Sequence, residues 1–88
     1  MEFRWNPWNL EHIAGHGVSP EEAEQVVLRA ERPYPQARAD GKWCVVGRGH
    51  GGRWLQVIYV FDAAHAVFII HARPLTDREK RRERKRTP

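Results

Sequence analysis

The chain has 88 residues, of which 41% are hydrophobic and 30% are charged, a composition typical of one small globular domain. Its longest apolar runs, near 55–61 and 67–70, are far shorter than the roughly 20 residues that a membrane-spanning helix needs. The single cysteine, Cys44, excludes an internal disulfide, and the first residues do not have the pattern of a secretory signal. We therefore expect one domain, residues 1–88, located in the cytoplasm and not associated with a membrane.

The net charge of +4 is concentrated at the carboxyl-terminal end of the chain. Residues 77–88 contain seven Lys or Arg and three Asp or Glu, whereas acidic and basic residues balance over 1–76. Such asymmetry is typical of an arm that binds a polyanion or an acidic partner protein. The alternative is a solvated helix whose charges only face water.

Two short helices are predicted at the amino-terminal end. Asn6 and Pro7 form a helix start, because Asn is a preferred N-cap and Pro suits the first helical position. Apolar residues then follow at helical spacing until the glycine-containing segment 15–17. The segment 19–22, Ser-Pro-Glu-Glu, has the spacing of a capping box and opens a second helix, which ends before the prolines of 33–35.

The hydrophobic pattern then changes to that of β-strands. Strands are predicted at 42–46, 53–61 and 67–73, and a fourth, weaker strand near 34–38. A glycine-rich turn at 49–52 and other short connections join them. Because connections this short allow only antiparallel neighbours, we expect a meander.

A third helix is predicted after the last strand, with a capping box at 76–79. Its i, i+4 charge pairs join like charges, and no apolar stripe continues beyond the first turn. We expect residues 80–86 to fray in isolation and to become ordered on a partner. The predicted fold class is α+β: two amino-terminal helices, an antiparallel meander sheet of three to four strands, and a basic carboxyl-terminal helix or tail over 77–88.

Five histidines raise the question of a metal site. His12 and His16 have the i, i+4 spacing that places two imidazoles on one helix face. Neither the glutamate of a zinc-protease motif nor a Cys-x-x-Cys pair accompanies them. We therefore predict no metal and no other cofactor. Gly15 and Gly17 indicate that the helix ends here, which favours a capping or packing role for His16.

His71 and Arg73 combine a proton-transfer group with a cation at the end of the last strand. Strict alternation along the strand would place both on one face with Val67 and Ile69. A histidine exchanges a proton near neutral pH, and an arginine can hold a phosphate with two hydrogen bonds. This pair suits RNA cleavage without metal, in which a base removes the 2′-hydroxyl proton and cations stabilise the developing charge. The alternative is a half-buried structural histidine.

Three cations, Lys42, Arg48 and Arg53, flank the glycine-rich turn at 49–52. The turn matches no Walker or dinucleotide pattern, so a hairpin turn is favoured over a phosphate site. The four tryptophans could stack bases, but in a chain this small they more often belong to the core. Cys44 has no evident base partner and is expected to be inert.

Several motifs together resemble the BrnT-type ribonuclease toxins. The resemblance begins with Trp-Asn-Pro and His-Gly-Val-Ser, and it closes with Ile-Ile-His-Ala-Arg. The similar segments are 5–7, 16–19, 21–23, 42–47, 52–55, 57–59, 69–73 and 78–79. They cover nearly the whole chain, and their order and spacing are more specific than any single motif.

The resemblance implies a RelE-like fold and a ribonuclease toxin of a type II toxin–antitoxin system, which a DNA-binding antitoxin would inhibit. The positions that it assigns to the site are His16, Lys42, Arg53, Arg73 and Glu79. Three residues depart from the family pattern. Gly15 stands where lysine is frequent, His71 replaces a serine, and Glu83 stands where an aromatic residue is common.

The predicted function is therefore that of a metal-independent endoribonuclease that cleaves RNA by 2′-hydroxyl attack. The predicted catalytic residues are His71, Arg73, His16 and Glu79. The predicted contacts to RNA phosphates are Lys42, Arg48, Arg53, Arg78 and Arg82. The alternative is a non-catalytic module that binds nucleic acid or a partner protein through the basic helix, and a third interpretation is a structural partner of an acidic protein. The sequence leaves open whether the protein is a monomer or a homodimer.

Overall fold

A computed structural model describes residues 1–86 of the chain, so the last two residues of the predicted tail lie outside the described part. The helices are α1 (Pro7–Ala14), α2 (Pro20–Leu28) and α3 (Asp77–Arg86). The strands are β1 (Gln36–Ala37), β2 (Trp43–Arg48), β3 (Trp54–Phe61) and β4 (Val67–Pro74). All neighbouring strands are antiparallel in the order β1-β2-β3-β4. The α+β class, the meander and the fourth strand are thereby confirmed.

Both amino-terminal helices begin at complete capping boxes. Asn6 accepts a hydrogen bond from the backbone N–H of Asn9 at 3.2 Å, and the Asn9 side chain accepts one from the Asn6 N–H at 2.8 Å. Ser19 and Glu22 form the corresponding pair at the start of α2. Because these side chains satisfy N–H groups that a helix start leaves unpaired, they fix where each short helix begins.

The hydrophobic core lies between the two amino-terminal helices and one face of the sheet. Leu55, Val57 and Tyr59 alternate along β3 and are buried against Ile13 of α1 and Val26 of α2. Each such side chain stabilises the fold by about 1.5–3 kcal/mol when it is fully removed from water. No helix within residues 1–86 is long and apolar enough to cross a membrane.

The opposite face of the sheet carries α3. Leu75, two residues before the helix, is 7% exposed, and Glu83 is the one buried residue among those of α3, all of which are described. The Tyr34 hydroxyl donates a hydrogen bond to Glu83 at 2.8 Å. At the other end, Thr76 and Glu79 form the predicted capping box. Hydrogen bonds therefore hold α3 in its first turn and at Glu83. The expected fraying of 80–86 in isolation stays a prediction.

A β-bulge in β4 changes which side chains share a face. Between Ile69 and His71, β4 advances by two residues while β3 advances by one, so Ile70 is an extra residue. As a result, His71 and Arg73 lie on the face that carries α3. Val67 and Ile69 point into the core on the other face, so the prediction that all four share one face was wrong. Strict alternation does not allow for the inserted residue.

Candidate active site

Three histidines from two elements meet at the edge of the sheet. His12 and His16 come from α1 and the residues just after it, and His71 comes from β4, the edge strand along which α1 packs. The ring centroid of His71 lies 5.1 Å from that of His16 and 6.1 Å from that of His12. The fold therefore brings together the two histidines proposed from the sequence. It adds His12, which the sequence had suggested only as a metal ligand.

Asn9 fixes the position of α1 against β4. Its side chain is fully buried and its Nδ2 donates hydrogen bonds to the carbonyl oxygens of Arg4 at 3.1 Å and Ile69 at 3.0 Å. A buried amide that lost these partners would be destabilising, so α1 has one favoured orientation along the strand. This orientation places the three histidines together. Sequence reasoning missed Asn9, although its position three residues after Asn6 is that of a reciprocal capping residue.

Trp8 extends the histidine cluster by stacking. Its ring centroid lies 5.0 Å from that of His12 and 6.1 Å from that of Phe68, with interplanar angles of 11° and 18°. Trp8 is 54% exposed, so this row of rings is open to solvent on one side. The stack restrains the imidazole of His12 and leaves an aromatic surface beside the histidines.

Burial is the main cause that lowers the pKa of His71. The neighbouring charges of His16, Arg73 and His12, in that order, lower it further. An imidazole with a lowered pKa is neutral at physiological pH and can accept a proton. His71 is therefore suited to act as a general base.

Arg73 is held by Glu79 on the α3 face of the sheet. Its Nη1 and Nη2 each donate a hydrogen bond of 2.8 Å to one carboxylate oxygen of Glu79. Hydrogen bonds from Arg73 and from the backbone N–H of Thr76 lower the pKa of Glu79 to about 2. The carboxylate stays charged at physiological pH, so this bidentate ion pair fixes the guanidinium of Arg73. Arg73 lies two residues from His71 on the same face of the sheet.

Arg53 has intramolecular partners at the start of α2 and at Gly17, the residue that follows His16. Its Nε and Nη2 donate hydrogen bonds of 2.8 Å to the two carboxylate oxygens of Glu22, and Nη2 also donates to the carbonyl oxygen of Gly17. These bonds join the start of β3 to the start of α2. Contact of Arg53 with RNA phosphate stays a prediction.

The other cations proposed from the sequence lie at the surface. Lys42 is exposed just before β2, and Arg78 and Arg82 are exposed on α3. The guanidinium of Arg48 lies 5.0 Å above the ring of Trp54. None of these four cations belongs to the histidine cluster, and their contacts with RNA stay predictions.

The arrangement of the imidazoles bears on the question of a metal. The three rings pack edge to face, at angles of 63° to 73°. Over residues 1–86, no group of three or more His, Cys, Asp or Glu side chains is arranged to hold a metal ion. The proposed absence of a metal from the chemistry stays a prediction.

Comparison with solved structures finds a ribonuclease toxin. The crystal structure of the Brucella abortus ribonuclease toxin BrnT aligns with a TM-score of 0.68, covering 88% of this chain and 99% of that one at 20% identity. No protein-family model matches this chain, and no curated protein matches its sequence. At this level of identity the alignment shows a shared fold. The BrnT-type fold implied by the sequence motifs is confirmed, while the RelE-like label stays a prediction.

Proposed function

We propose that the protein is a ribonuclease toxin that cleaves RNA at the cluster of His16, His71 and Arg73 without a metal ion. The main support is the position of His71, a half-buried imidazole with a lowered pKa that lies 5.1 Å from a second imidazole. The fold shared with a ribonuclease toxin is the independent support. General acid–base catalysis by such a pair typically contributes about 10²–10⁴-fold to a rate.

In the proposed reaction, His71 accepts the proton of the 2′-hydroxyl as its oxygen attacks the adjacent phosphorus. The bond from phosphorus to the 5′-oxygen breaks, and His16 gives a proton to that leaving oxygen. The products are a 2′,3′-cyclic phosphate and a 5′-hydroxyl end. No electrons are transferred and no co-reactant is consumed.

Arg73 supplies positive charge beside the reacting phosphate. Its hydrogen bonds to Glu79 and to the carbonyl oxygen of Pro74 use three of the five guanidinium N–H donors. Two donors therefore remain for phosphate oxygens. Fixed donors stabilise charge that develops in the transition state without having to reorganise, so Glu79 acts as a positioning residue.

The biological setting is also part of the proposal. We propose that the protein belongs to a type II toxin–antitoxin system, acts on RNA in the cytoplasm and is blocked by a cognate antitoxin. The exposed cations Lys42, Arg78 and Arg82 are proposed to bind RNA phosphates outside the reacting position. Their location at the surface supports this assignment.

The experiment that tests the proposed chemistry compares a long unstructured RNA with DNA of the same sequence, both incubated with the protein in EDTA. We expect cleavage of the RNA alone, with 2′,3′-cyclic phosphate ends, because DNA lacks the attacking hydroxyl. Binding of both without cleavage would favour the non-catalytic module. Loss of cleavage in EDTA and its return with a divalent ion would reject the metal-free mechanism.

A further inference from the structure

A basic groove opens on the α3 face, on the side away from the cluster of His12, His16 and His71. Its volume is about 730 Å³, and it lies between the loop that follows α2, the β2–β3 hairpin and the carboxyl-terminal half of α3. Its lining contains two glutamates and five arginines, namely Arg29, Arg32, Arg48, Arg84 and Arg86. This excess of positive charge is complementary to a polyanion.

Two aromatic rings in the groove each have an arginine over one face. The guanidinium of Arg48 lies 5.0 Å from the ring centre of Trp54, and that of Arg86 lies 6.0 Å from the ring centre of Tyr34. Such pairs present flat, cationic surfaces on which an unpaired base can stack while its phosphate meets an arginine. The lining therefore suits bases as well as phosphates.

The groove continues toward the candidate active site. A second, smaller cavity adjoins it and shares four of its lining residues: Tyr34, Val46, Glu83 and Arg86. This second cavity is also lined by Gln56 and Glu79. Gln56 is the β3 partner of Arg73, and Glu79 binds the guanidinium of Arg73. The second cavity therefore lies between the groove and the residues that contact Arg73.

The register of the sheet sets the distance between the groove and the histidines. Trp54 and Ile58 lie on the same face of β3, four residues or about 13 Å apart. Ile58 pairs with His71 on β4. A strand of nucleic acid that occupied the groove would therefore reach the histidines within a few nucleotides.

We propose that this groove binds the single-stranded RNA segment that flanks the scissile phosphate, with bases stacked on the Arg48–Trp54 and Arg86–Tyr34 pairs. The inference rests on the proposed function and specifies its substrate as unpaired RNA. Bases within a duplex are stacked on one another and do not offer their faces to aromatic side chains.

Two matched double variants test the contribution of the arginines. Arg48→Gln/Arg86→Gln removes two groove cations, and Arg81→Gln/Lys85→Gln removes two exposed charges of α3 that line neither cavity. The probe is a 12-nucleotide unstructured RNA with 2′-O-methyl groups, which the proposed reaction cannot cleave, followed by fluorescence anisotropy over a salt series. The groove pair should lower affinity at least tenfold and reduce the salt slope by about 1.4, since each phosphate contact in a single strand contributes about 0.7. Equal losses in both pairs would overturn the proposal.

The stacking partner is tested by replacing Trp54. We expect Trp54→Leu to weaken binding of the same probe roughly tenfold and Trp54→Phe to restore most of it, because a phenyl ring still stacks. Circular dichroism of each variant establishes that it is folded. A folded Trp54→Leu protein with unchanged affinity, or equal binding of a 12-base-pair RNA duplex by the wild type, would contradict the proposal.

The outcomes separate the groove from the ribonuclease activity. If groove variants lose RNA affinity and the wild type cleaves no RNA, the groove binds single-stranded RNA and the ribonuclease proposal fails. If cleavage depends on His71 while the groove variants bind the probe normally, the ribonuclease proposal stands and the groove assignment fails. Polyglutamate serves as a second probe. If the groove variants keep their affinity for RNA but lose their affinity for polyglutamate, the occupant is an acidic protein segment and the proposal is overturned.

Discussion

The imidazoles of His16 and His71 pack edge to face, with their ring centres 5.1 Å apart and an angle of 73° between the ring planes. Asn9 ties α1 to the edge strand, and the bulge at Ile70 places His71 on the α3 face of that strand. On that face His71 has Arg73 as its neighbour, and the guanidinium is held by a charged carboxylate. In the proposed mechanism His71 is the base, His16 is the acid and Arg73 is the fixed cation.

The pH dependence of cleavage tests the role of His71 as a base. Because its pKa is lowered from the ordinary 6.5, the neutral form persists below that pH. We expect the acid limb of kcat/KM to have its midpoint below pH 6.5 and to be absent from His71→Gln. A pH–rate profile of both proteins measures this, and a wild-type midpoint above 6.5 would contradict the assignment.

The same lowered pKa affects stability. The folded protein binds the His71 proton less readily than the unfolded chain does, so this residue makes the free energy of unfolding fall as the pH drops below about 6.5. In His71→Gln we expect that contribution to be absent. Urea unfolding of both proteins between pH 7.5 and 5 gives the comparison, and identical pH slopes would show that the surroundings of His71 do not disfavour its charged form.

The Arg73–Glu79 pair is expected to stabilise the start of α3. Glu79→Gln should lower the free energy of unfolding by about 1 kcal/mol at pH 7, since it weakens both an ion pair and a helix cap. The pKa of Glu79 is lowered to about 2, so its stabilisation is complete above pH 4.5 and is lost as the pH falls toward 2.

Asp77→Asn on the same helix turn is the control. The Asp77 side chain is 87% exposed, and its Oδ1 lies 3.7 Å from Nζ of Lys80, so it forms only a surface ion pair. We expect a smaller change for this variant. Chemical unfolding at pH 7 and at a series of acidic pH values separates the two. Equal effects of the two substitutions would mean that the bonds to Arg73 contribute no stability.

Asn9 is expected to be important for both stability and activity. Asn9→Ala removes the hydrogen bonds from α1 to the carbonyl oxygens of Arg4 and Ile69. We expect the free energy of unfolding to fall by about 1–3 kcal/mol. The remaining folded protein should cleave RNA more slowly, because His16 is no longer held against His71. Unfolding curves and kcat on the same preparations test this, with Asn6→Ser as a control that retains a capping side chain. Unchanged stability would show that α1 is positioned by other contacts.

Arg53 is expected to stabilise the fold through its ion pair with Glu22. We predict that Arg53→Gln and Glu22→Gln each lower the free energy of unfolding by at most about 1 kcal/mol, because the Arg53 side chain is 41% exposed. The double variant should cost less than the sum, since one interaction is removed in each case. If Arg53→Gln instead lowered RNA affinity with no effect on stability, the phosphate-binding role implied by the sequence motifs would be correct.

Local sequence signals predicted most of the fold because short-range interactions determine those features. The helix starts were predicted from Asn6 as an N-cap before Pro7 and from the capping-box spacing at Ser19 and Thr76, and all three caps form. The strand positions follow from alternating apolar residues and glycine-rich turns. These signals involve only residues close in sequence, so they can be recognised without knowledge of the tertiary structure.

The candidate site was predicted only in part, because it depends on contacts between distant segments. His71 and Arg73 were identified as neighbours on one strand, but a bulge set which face they occupy. The approach of His12 and His16 to His71 follows from the packing of α1 along an edge strand, which no local spacing encodes. The partner of Arg53 is likewise a residue from another element.

The most direct test of the account is cleavage of a long unstructured RNA in EDTA by the wild type, His71→Ala/Arg73→Ala and His65→Asn. His65 lies in the β3–β4 turn with a backbone φ of 62°, a conformation that asparagine accepts, and it is not part of the histidine cluster. We predict cleavage by the wild type and by His65→Asn, and a loss of at least about 10²-fold in the double variant. Cleavage by a folded double variant at the wild-type rate would contradict the proposed site.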